Sequence, residues 1–179
     1  SIVSHDLRSP LHIASSRLTL AREECDSDHL DDAEDALDRM DGLIEDLLSL
    51  ARSDRPVVDT EPVALDSLFE SCWGIVETAD ATLTVETDAT IQADRSRLRQ
   101  LVENLVRNSV EHGDVGVTIT VGDTDDGFFV ADDGPGIPEE EREQVFESGY
   151  STVDSGTGIG LDIVSQVADA HGWTVEATE

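Results

Sequence analysis

The residues that could do chemistry fall in four short segments, and the first of these contains a histidine. In SHDLRSPL, residues 4–11, His5 is followed directly by Asp6. An imidazole can attack an electrophilic phosphorus, and a neighbouring carboxylate can hold its tautomer and take its proton. Pro10 removes one helical hydrogen bond close to His5. A solvated surface histidine beside a solvated aspartate would give the same pattern, so this segment needs support from elsewhere in the chain.

The second segment, ENLVRNSVEHG at residues 103–113, carries two asparagines four positions apart. Asn104 and Asn108 therefore share one face of a predicted helix. Two stacked amides can coordinate a cation or its waters and so bridge to phosphate groups. Asparagine is not favoured inside helices, which suggests a role beyond helix formation. The alternative interpretation is an exposed polar face.

Glycines mark the last two segments. DDGPGIP, residues 132–138, follows the apolar run FFVA, so the Asp132 carboxylate would stand at the end of a buried strand and could accept a hydrogen bond from an exocyclic amine. GTGIGL, residues 156–161, leads into a predicted helix, where bare amides suit a phosphate chain. It follows no strand of a βαβ unit, and the chain has no lysine, so neither a dinucleotide-binding motif nor a P-loop is indicated. An acidic turn is the alternative for the first of these segments.

Apolar periodicity predicts a helical hairpin over residues 1–52, with its turn near residues 25–29. In the second half, apolar residues recur at alternating spacings of three and four: Leu30, Ala33, Leu37, Met40, Ile44, Leu47 and Ala51. His5 lies off the apolar side of the first helix and should face solvent. A single hairpin would leave much apolar surface in water, whereas two copies would bury it in a four-helix bundle. We therefore expect a homodimer formed through residues 1–54.

The rest of the chain predicts a mixed domain of helices and strands. We expect a linker over residues 55–62 and a second domain over residues 63–179, so that the whole chain is α+β. Helices are predicted from residue 63 to 76, from 95 to 112 with Asp94 as N-cap, and up to Gly172. Strand-like runs fall at 82–87 and 90–93, a β-hairpin turns near residues 124–127, and a strand should begin at Trp173.

Charge and hydropathy exclude several classes of partner. Asp and Glu number 41 against 11 basic residues, a formal net charge of −30, which would repel nucleic acid and anionic membranes. No apolar run approaches the ~20 residues that span a bilayer, so we expect any membrane part upstream of residue 1 and the catalytic part in the cytoplasm. Cys25 and Cys72 lack a ligand-like spacing, and we expect two plain thiols.

In this order and at these distances, the four segments resemble sensor histidine kinases of two-component systems, in particular haloarchaeal members. SHDLRSPL resembles the phosphoacceptor box and ENLVRNSVEHG the asparagine box. DDGPGIP and GTGIGL resemble the two glycine boxes, and VFESGYST at residues 145–152 is similar to the phenylalanine box of the lid between them. For residues 63–179 the resemblance implies the α/β sandwich that histidine kinases share with gyrase and chaperone ATPases. It covers nearly all of the chain.

The resemblance implies a role for each matching residue. His5 would take the γ-phosphoryl group of ATP, with Asp6 as base or orienting partner, and would pass it to an aspartate of a response-regulator receiver domain. Ser9 stands where the family often has the Thr or Asn that serves dephosphorylation of that partner. Asn108 would hold Mg²⁺ with Asn104 close by, and Asp132 would accept the adenine amine. The remaining nucleotide-binding and lid positions would be His112, Gly134, Gly136, Ile137, Phe146, Tyr150, Gly156, Thr157, Gly158, Gly160 and Leu161.

Two other functions stay open, and one departure from the family pattern bears on the first of them. Many members carry Lys or Arg three residues after the second asparagine, where Glu111 stands here, so a positive phosphate contact would have to come from His112 or Arg107 or be absent. A non-catalytic dimerisation and signalling module would explain that change. An ATPase of the same superfold would explain residues 94–172 but has no need of the SHDLRSPL hairpin.

We expect the fold to require high salt. At 1 M ionic strength the Debye length is about 3 Å, which mutes repulsion between the carboxylates, whereas in dilute salt that repulsion opposes the compact state. Circular dichroism in molar and then millimolar KCl should show loss of structure at the lower concentration. An unchanged spectrum would contradict this halophilic interpretation.

Overall fold

A computed structural model of the chain describes residues 2–24, 27, 29–30, 33, 36–37, 40, 44, 59–74, 80–147, 150 and 158–178. For residues 2–9, 23 and 24 it describes the backbone alone. The chain forms two compact units, and residues 1–54 belong to one of them while residues 55–152 and 158–179 form the other. None of the described helices combines the length and the apolar character needed to cross a membrane.

The N-terminal unit begins with a long helix, α1, which runs from Ile2 to Glu24 with Pro10 inside it. The described positions from 29 to 44 are also helical, as the predicted hairpin requires. Leu11 of α1 is buried, but Ile13 and Leu20 are 60% and 52% exposed in the single chain. Seven residues apart, these two side chains lie on one side of the helix.

The C-terminal unit contains three further helices and five strands among its described residues. In chain order they are β1 (Glu61–Ala64), α2 (Leu65–Trp73), β2 (Thr82–Val85), β3 (Thr90–Ala93), α3 (Arg95–His112), β4 (Thr118–Asp123), β5 (Phe128–Asp132), a 3-10 turn (Gln144–Phe146) and α4 (Gly160–His171). One sheet has the order β2-β4-β5, with β2 parallel and β5 antiparallel to β4. β1 and β3 form a separate antiparallel pair.

The core lies between one face of the three-stranded sheet and the helices. Alternate residues of β4, Ile119 and Val121, are fully buried, as expected of a strand with one face on a core. The helices contribute side chains at the predicted spacing of three and four: Leu98, Leu101, Val102 and Val106 from α3, and Ile163, Val164 and Val167 from α4. The predicted helix over 95–112, the hairpin and the helix ending at Gly172 are confirmed.

Hydrogen bonds join the end of α4 to the beginning of α3. Asp94 caps α3 as predicted, because its carboxylate accepts from the backbone N–H groups of Ser96 and Arg97. The Asp94 N–H in turn donates to Nε2 of His171 at 3.0 Å, while His171 Nδ1 lies 2.7 Å from the carbonyl oxygen of Val167. The Asp94 N–H requires Nε2 as an acceptor, which assigns the ring proton to Nδ1, where it donates to the Val167 carbonyl. The Trp173 ring stacks on this imidazole at 4.4 Å.

Two predicted elements differ from those observed. Residues 61 and 62, expected in the linker, and residues 63 and 64, expected in a helix, form β1, because they pair with β3 in a two-stranded sheet that tolerates Pro62. The strand predicted from Trp173 is wrong for residues 173–178, which form no regular strand. The backbone N–H of Trp173 instead donates to the Ala168 carbonyl and so caps the end of α4.

We predict that His171→Ala lowers the free energy of unfolding of the C-terminal unit by about 1–2 kcal/mol, since it leaves the Asp94 N–H without its acceptor. Urea unfolding at constant molar KCl, followed by tryptophan fluorescence, measures the change. His12→Ala removes an exposed imidazole from α1 and is the matched control. Equal unfolding midpoints for the two variants would contradict a structural role for His171.

Candidate nucleotide and metal site

Two asparagine side chains of α3 converge on the first residue of α4. Asn104 is buried, and its Nδ2 donates to the Gln100 carbonyl at 2.9 Å. A β-carbon placed on Gly160 would lie 3.1 Å from Asn108 Oδ1 and 3.4 Å from Asn104 Oδ1. Both amide oxygens therefore lie beside the N-terminus of α4, and a β-carbon at Gly160 would require the Asn108 amide to move by a few tenths of an ångström.

This arrangement suits a hard cation and an anionic ligand together. Amide oxygens are ligands that Mg²⁺ accepts, and Mg²⁺ usually completes its coordination with waters and phosphate oxygens. The helix N-terminus favours negative charge beside it. No group of three or more His, Cys, Asp and Glu side chains in the described ranges could hold a metal by itself. A cation held at Asn104 and Asn108 would have further coordination positions for waters and for phosphate oxygens of a ligand.

A carboxylate at the end of β5 forms the second part of the site. Asp132 Oδ2 accepts a hydrogen bond from the Ser109 hydroxyl at 2.9 Å, and Oδ1 accepts from the Gly134 N–H at 3.1 Å. Asp132 pairs with Ile119 of β4 and so projects from the sheet face that the helices cover. Since Asn108 and Ser109 are neighbours in α3, residues 104–109 carry both the amide pair and the partner of Asp132.

The glycines after β5 allow a close approach of the backbone. A β-carbon on Gly134 would lie 3.2 Å from the Gly113 Cα at the end of α3 and 2.8 Å from Asp132 Oδ1. Gly136 has φ of 71°, a left-handed conformation that L side chains rarely adopt. The turn therefore lies directly against the end of α3 and holds the Asp132 carboxylate near it.

The segment that follows this turn is attached at several points. Arg142 Nε donates to the Ile137 carbonyl at 3.0 Å. Val145 is buried, and its 3-10 turn contacts α4. Desolvation and a hydrogen bond with the Glu141 carboxylate raise the pKa of Tyr150. Ile137 and Tyr150 are therefore held by two neighbouring residues, Arg142 and Glu141, after the glycine turn.

The structure brings together some of the residues that the sequence indicated and not others. His5, Asp6 and Ser9 belong to α1, where the structure describes their backbone but not their side chains. Gly156 and Thr157 lie outside the described residues. Gly158 has φ of 65° just before α4. Leu161 is half-buried in the first turn of α4, and Phe146 is half-buried in the 3-10 turn. His112 and Glu111 are exposed in the last turn of α3.

Sequence reasoning missed Ser109 and the attachment of Arg142 to Ile137. A signal for Ser109 was present, since it falls three residues after Val106 on the apolar side of α3, where a hydroxyl needs a partner. Its partner, Asp132, is 23 residues further along the chain and could be identified only from the packing of α3 on β5.

Two protein families match this chain, one in each compact unit. Residues 93–179 match the family of histidine kinase-, DNA gyrase B- and HSP90-like ATPases. Residues 1–56 match the His Kinase A (phospho-acceptor) domain.

Individual relatives agree with these two matches. The chain is 32% identical to the sensor protein IrlS of Burkholderia pseudomallei and 29% identical to the sensor histidine kinase CpxA of Escherichia coli. Both alignments cover 97% of this chain and 42% of the relative, so the chain spans about two fifths of their length. Among solved structures, the mycobacterial sensor histidine kinase MprB is similar with a TM-score of 0.58 and 30% identity, over 65% of this chain and 83% of that one.

We predict that Gly160→Ala weakens binding of Mg·ATP about tenfold, because the new methyl group would lie 3.1 Å from Asn108 Oδ1 and that amide would have to move. Alanine favours helices over glycine, so helix stability should not fall. Titration with a fluorescent nucleotide in molar KCl measures the affinity. Gly74→Ala is the control, since its β-carbon would meet nothing nearer than 3.9 Å. Unchanged affinity in Gly160→Ala would show that the amides take no part.

Proposed function

We infer the following function for this chain, which belongs to the sensor histidine kinases of two-component systems. It transfers the γ-phosphoryl group of ATP to His5 and then to an aspartate of a response-regulator receiver domain. The observation that carries the proposal is the convergence of Asn104 and Asn108 on Gly160, which would bring amide oxygens and a helix N-terminus to one phosphate chain. We place this core in the cytoplasm, where ATP is available.

Each part of the nucleotide would meet a different group. The Asp132 carboxylate would accept the adenine amine, and the glycines at 134, 136, 158 and 160 would let the backbone approach the ligand. Asn108, with Asn104 close by, would hold Mg²⁺, which when bound would neutralise charge on the phosphates. Ile137, Tyr150, Thr157 and Leu161 would line the pocket with Gly156, and Phe146 would seat the lid.

The transfer itself would be an in-line displacement. His5 Nε2 would form a bond to the γ-phosphorus while the bond from that phosphorus to the bridging oxygen of ADP breaks, and the Nδ1 proton would pass to Asp6. ADP leaves with the electron pair of the broken bond. Catalysis would come mainly from positioning of the reacting groups and from neutralisation of the phosphate charge by the metal.

We propose a homodimer through residues 1–54, with residues 55–62 as the linker to the ATP-binding domain at 63–179. The exposed apolar side chains of the N-terminal unit, Ile13, Leu20 and Met40, support a second copy as the partner. The response regulator would dock on the same hairpin, next to His5. Because His5 belongs to one compact unit and Asn104, Asn108 and Asp132 to the other, phosphorylation would require the two to meet.

Labelling with γ-labelled ATP in molar KCl tests the acceptor. We expect an acid-labile, base-stable label on the wild-type chain and on His12→Gln, which changes an exposed histidine of the same helix. His5→Gln should carry no label and still bind ATP. Full label on His5→Gln would refute the assignment.

Two other outcomes would favour the alternative functions. Steady release of ADP without labelled protein would indicate an ATPase of the same fold. No nucleotide binding in high salt with Mg²⁺ would indicate a non-catalytic signalling module, for which Glu111 in the last turn of α3 would be the explanation.

A further inference from the structure

We propose that Ser109 is a positioning residue for recognition of the base: its hydroxyl holds the Asp132 carboxylate in the orientation that accepts the exocyclic amine of adenine. The proposal rests on the function inferred above and deepens it, since it assigns selectivity for a 6-aminopurine to a side chain that does not itself need to touch the nucleotide.

The hydrogen bonds of Asp132 define its orientation. Ser109 Oγ donates to Oδ2 at 2.9 Å, and the Gly134 N–H donates to Oδ1 at 3.1 Å. The terminal torsion of an aspartate is broad and roughly two-fold, so one donor on each oxygen is what restrains the carboxylate plane. Each carboxylate oxygen has about two lone-pair sites, which leaves acceptor capacity on both for a ligand amine.

Ser109 is well placed to restrain Asp132. It is only 8% exposed, whereas Asp132 is exposed at the end of β5. The Ser109 side chain is among the buried residues of α3, and packing therefore limits the positions that its hydroxyl can take. The hydrogen bond from this buried hydroxyl therefore restrains the more exposed carboxylate.

The direction of this hydrogen bond is not the usual one for a helical hydroxyl. In α1, the hydroxyls of Ser15, Ser16 and Thr19 each bond to the backbone carbonyl four residues earlier. That local bond is the common choice for serine and threonine inside a helix. Ser109 instead bonds across the fold to a carboxylate 23 residues away. The bond to Asp132 therefore depends on how α3 and β5 pack and not on helix geometry.

The bond has a consequence for which base is accepted. An ionised carboxylate only accepts hydrogen bonds, so it favours the 6-amino group of adenine and disfavours the 6-keto oxygen of guanine. This discrimination requires the carboxylate to be held where the amine arrives, because a site built around a hydrogen bond rejects an analogue that lacks the donor. Without the Ser109 hydroxyl, Oδ2 loses its donor and the discrimination should decrease.

The test compares two nucleotides on the same variants. Affinities of ATP and of purine riboside triphosphate, which lacks the 6-amino group, are measured with Mg²⁺ in molar KCl by displacement of a fluorescent nucleotide. In Ser109→Ala we expect ATP affinity to fall about tenfold and the affinity of the amine-free analogue to change less than about twofold. Ser109→Cys, which keeps the volume with a weaker donor, should lie between Ser109→Ala and the wild type.

The control removes a comparable hydroxyl elsewhere. Ser71 is half-buried in α2 and donates to the Leu68 carbonyl at 2.8 Å, so Ser71→Ala should leave both affinities unchanged. In an Asp132→Ala background, Ser109→Ala should add no further loss of ATP affinity, since the two residues act as one unit.

The outcomes separate this proposal from the one on which it rests. Equal weakening of both nucleotides in Ser109→Ala would show a role in packing only and would overturn the proposal, as would unchanged ATP affinity. If Ser109→Ala does not fold, loss of the preference for ATP in Ser109→Cys supports the proposal and an intact preference refutes it. Failure of the wild-type chain to bind ATP would instead refute the proposed function.

Discussion

The close approach of α4 to α3 at Gly160 is the constraint on which the rest of the site depends. At this point a β-carbon would lie 3.1 Å from Asn108 Oδ1 and 3.4 Å from Asn104 Oδ1, so the absence of a side chain at Gly160 leaves the two amides in place beside α4. The meeting point combines two amide oxygens with a helix N-terminus. A shift of either helix would separate the amide oxygens from the N-terminus of α4. Neither the amides nor the helix N-terminus would by itself bind a phosphate chain together with a cation.

The apolar side chains of α3 that pack in the core lie next to the polar side chains that form the site. Leu98, Val102 and Val106 bury one stripe in the core, and Asn104, Asn108 and Ser109 follow beside it. At the N-terminal end of α3 the Asp94 cap is hydrogen-bonded to His171, the last residue of α4. The two helices are therefore joined through His171 as well as by packing, and the position of the amide pair depends on both.

The extreme negative charge of the chain raises the question of how its site could bind an anionic ligand. Its converging groups are amides, a hydroxyl, backbone N–H groups and one carboxylate, and the proposed substrate, ATP, would bind as an anion within a chain of net charge −30. Backbone and amide dipoles need no charged side chain, and a cation shared with the phosphates offsets their charge. This explains how an acidic protein could use ATP with Glu111 at a position where related kinases often have a cation.

By itself the sequence determined the elements and the candidate residues. Apolar spacing predicted α3, α4 and the hairpin of β4 and β5, because burial of one face leaves a period in the sequence. The motifs indicated Asn104, Asn108, Asp132 and the glycines, because their chemistry is local to each segment. The strand β1 was not predictable from residues 61–64, since its stability comes from pairing with β3, nearly thirty residues later.

Only the tertiary structure decided which of these residues meet. The link from Ser109 to Asp132, the hydrogen bond from Asp94 to His171 and the contact of the amides with Gly160 each join residues from 23 to 77 positions apart. Such contacts follow from the packing of helices on the sheet, which no local periodicity records. The sequence thus indicated a phosphate-binding and base-binding chemistry, and the fold decided its geometry, because hydrogen bonds depend on distances that arise only when distant segments pack together.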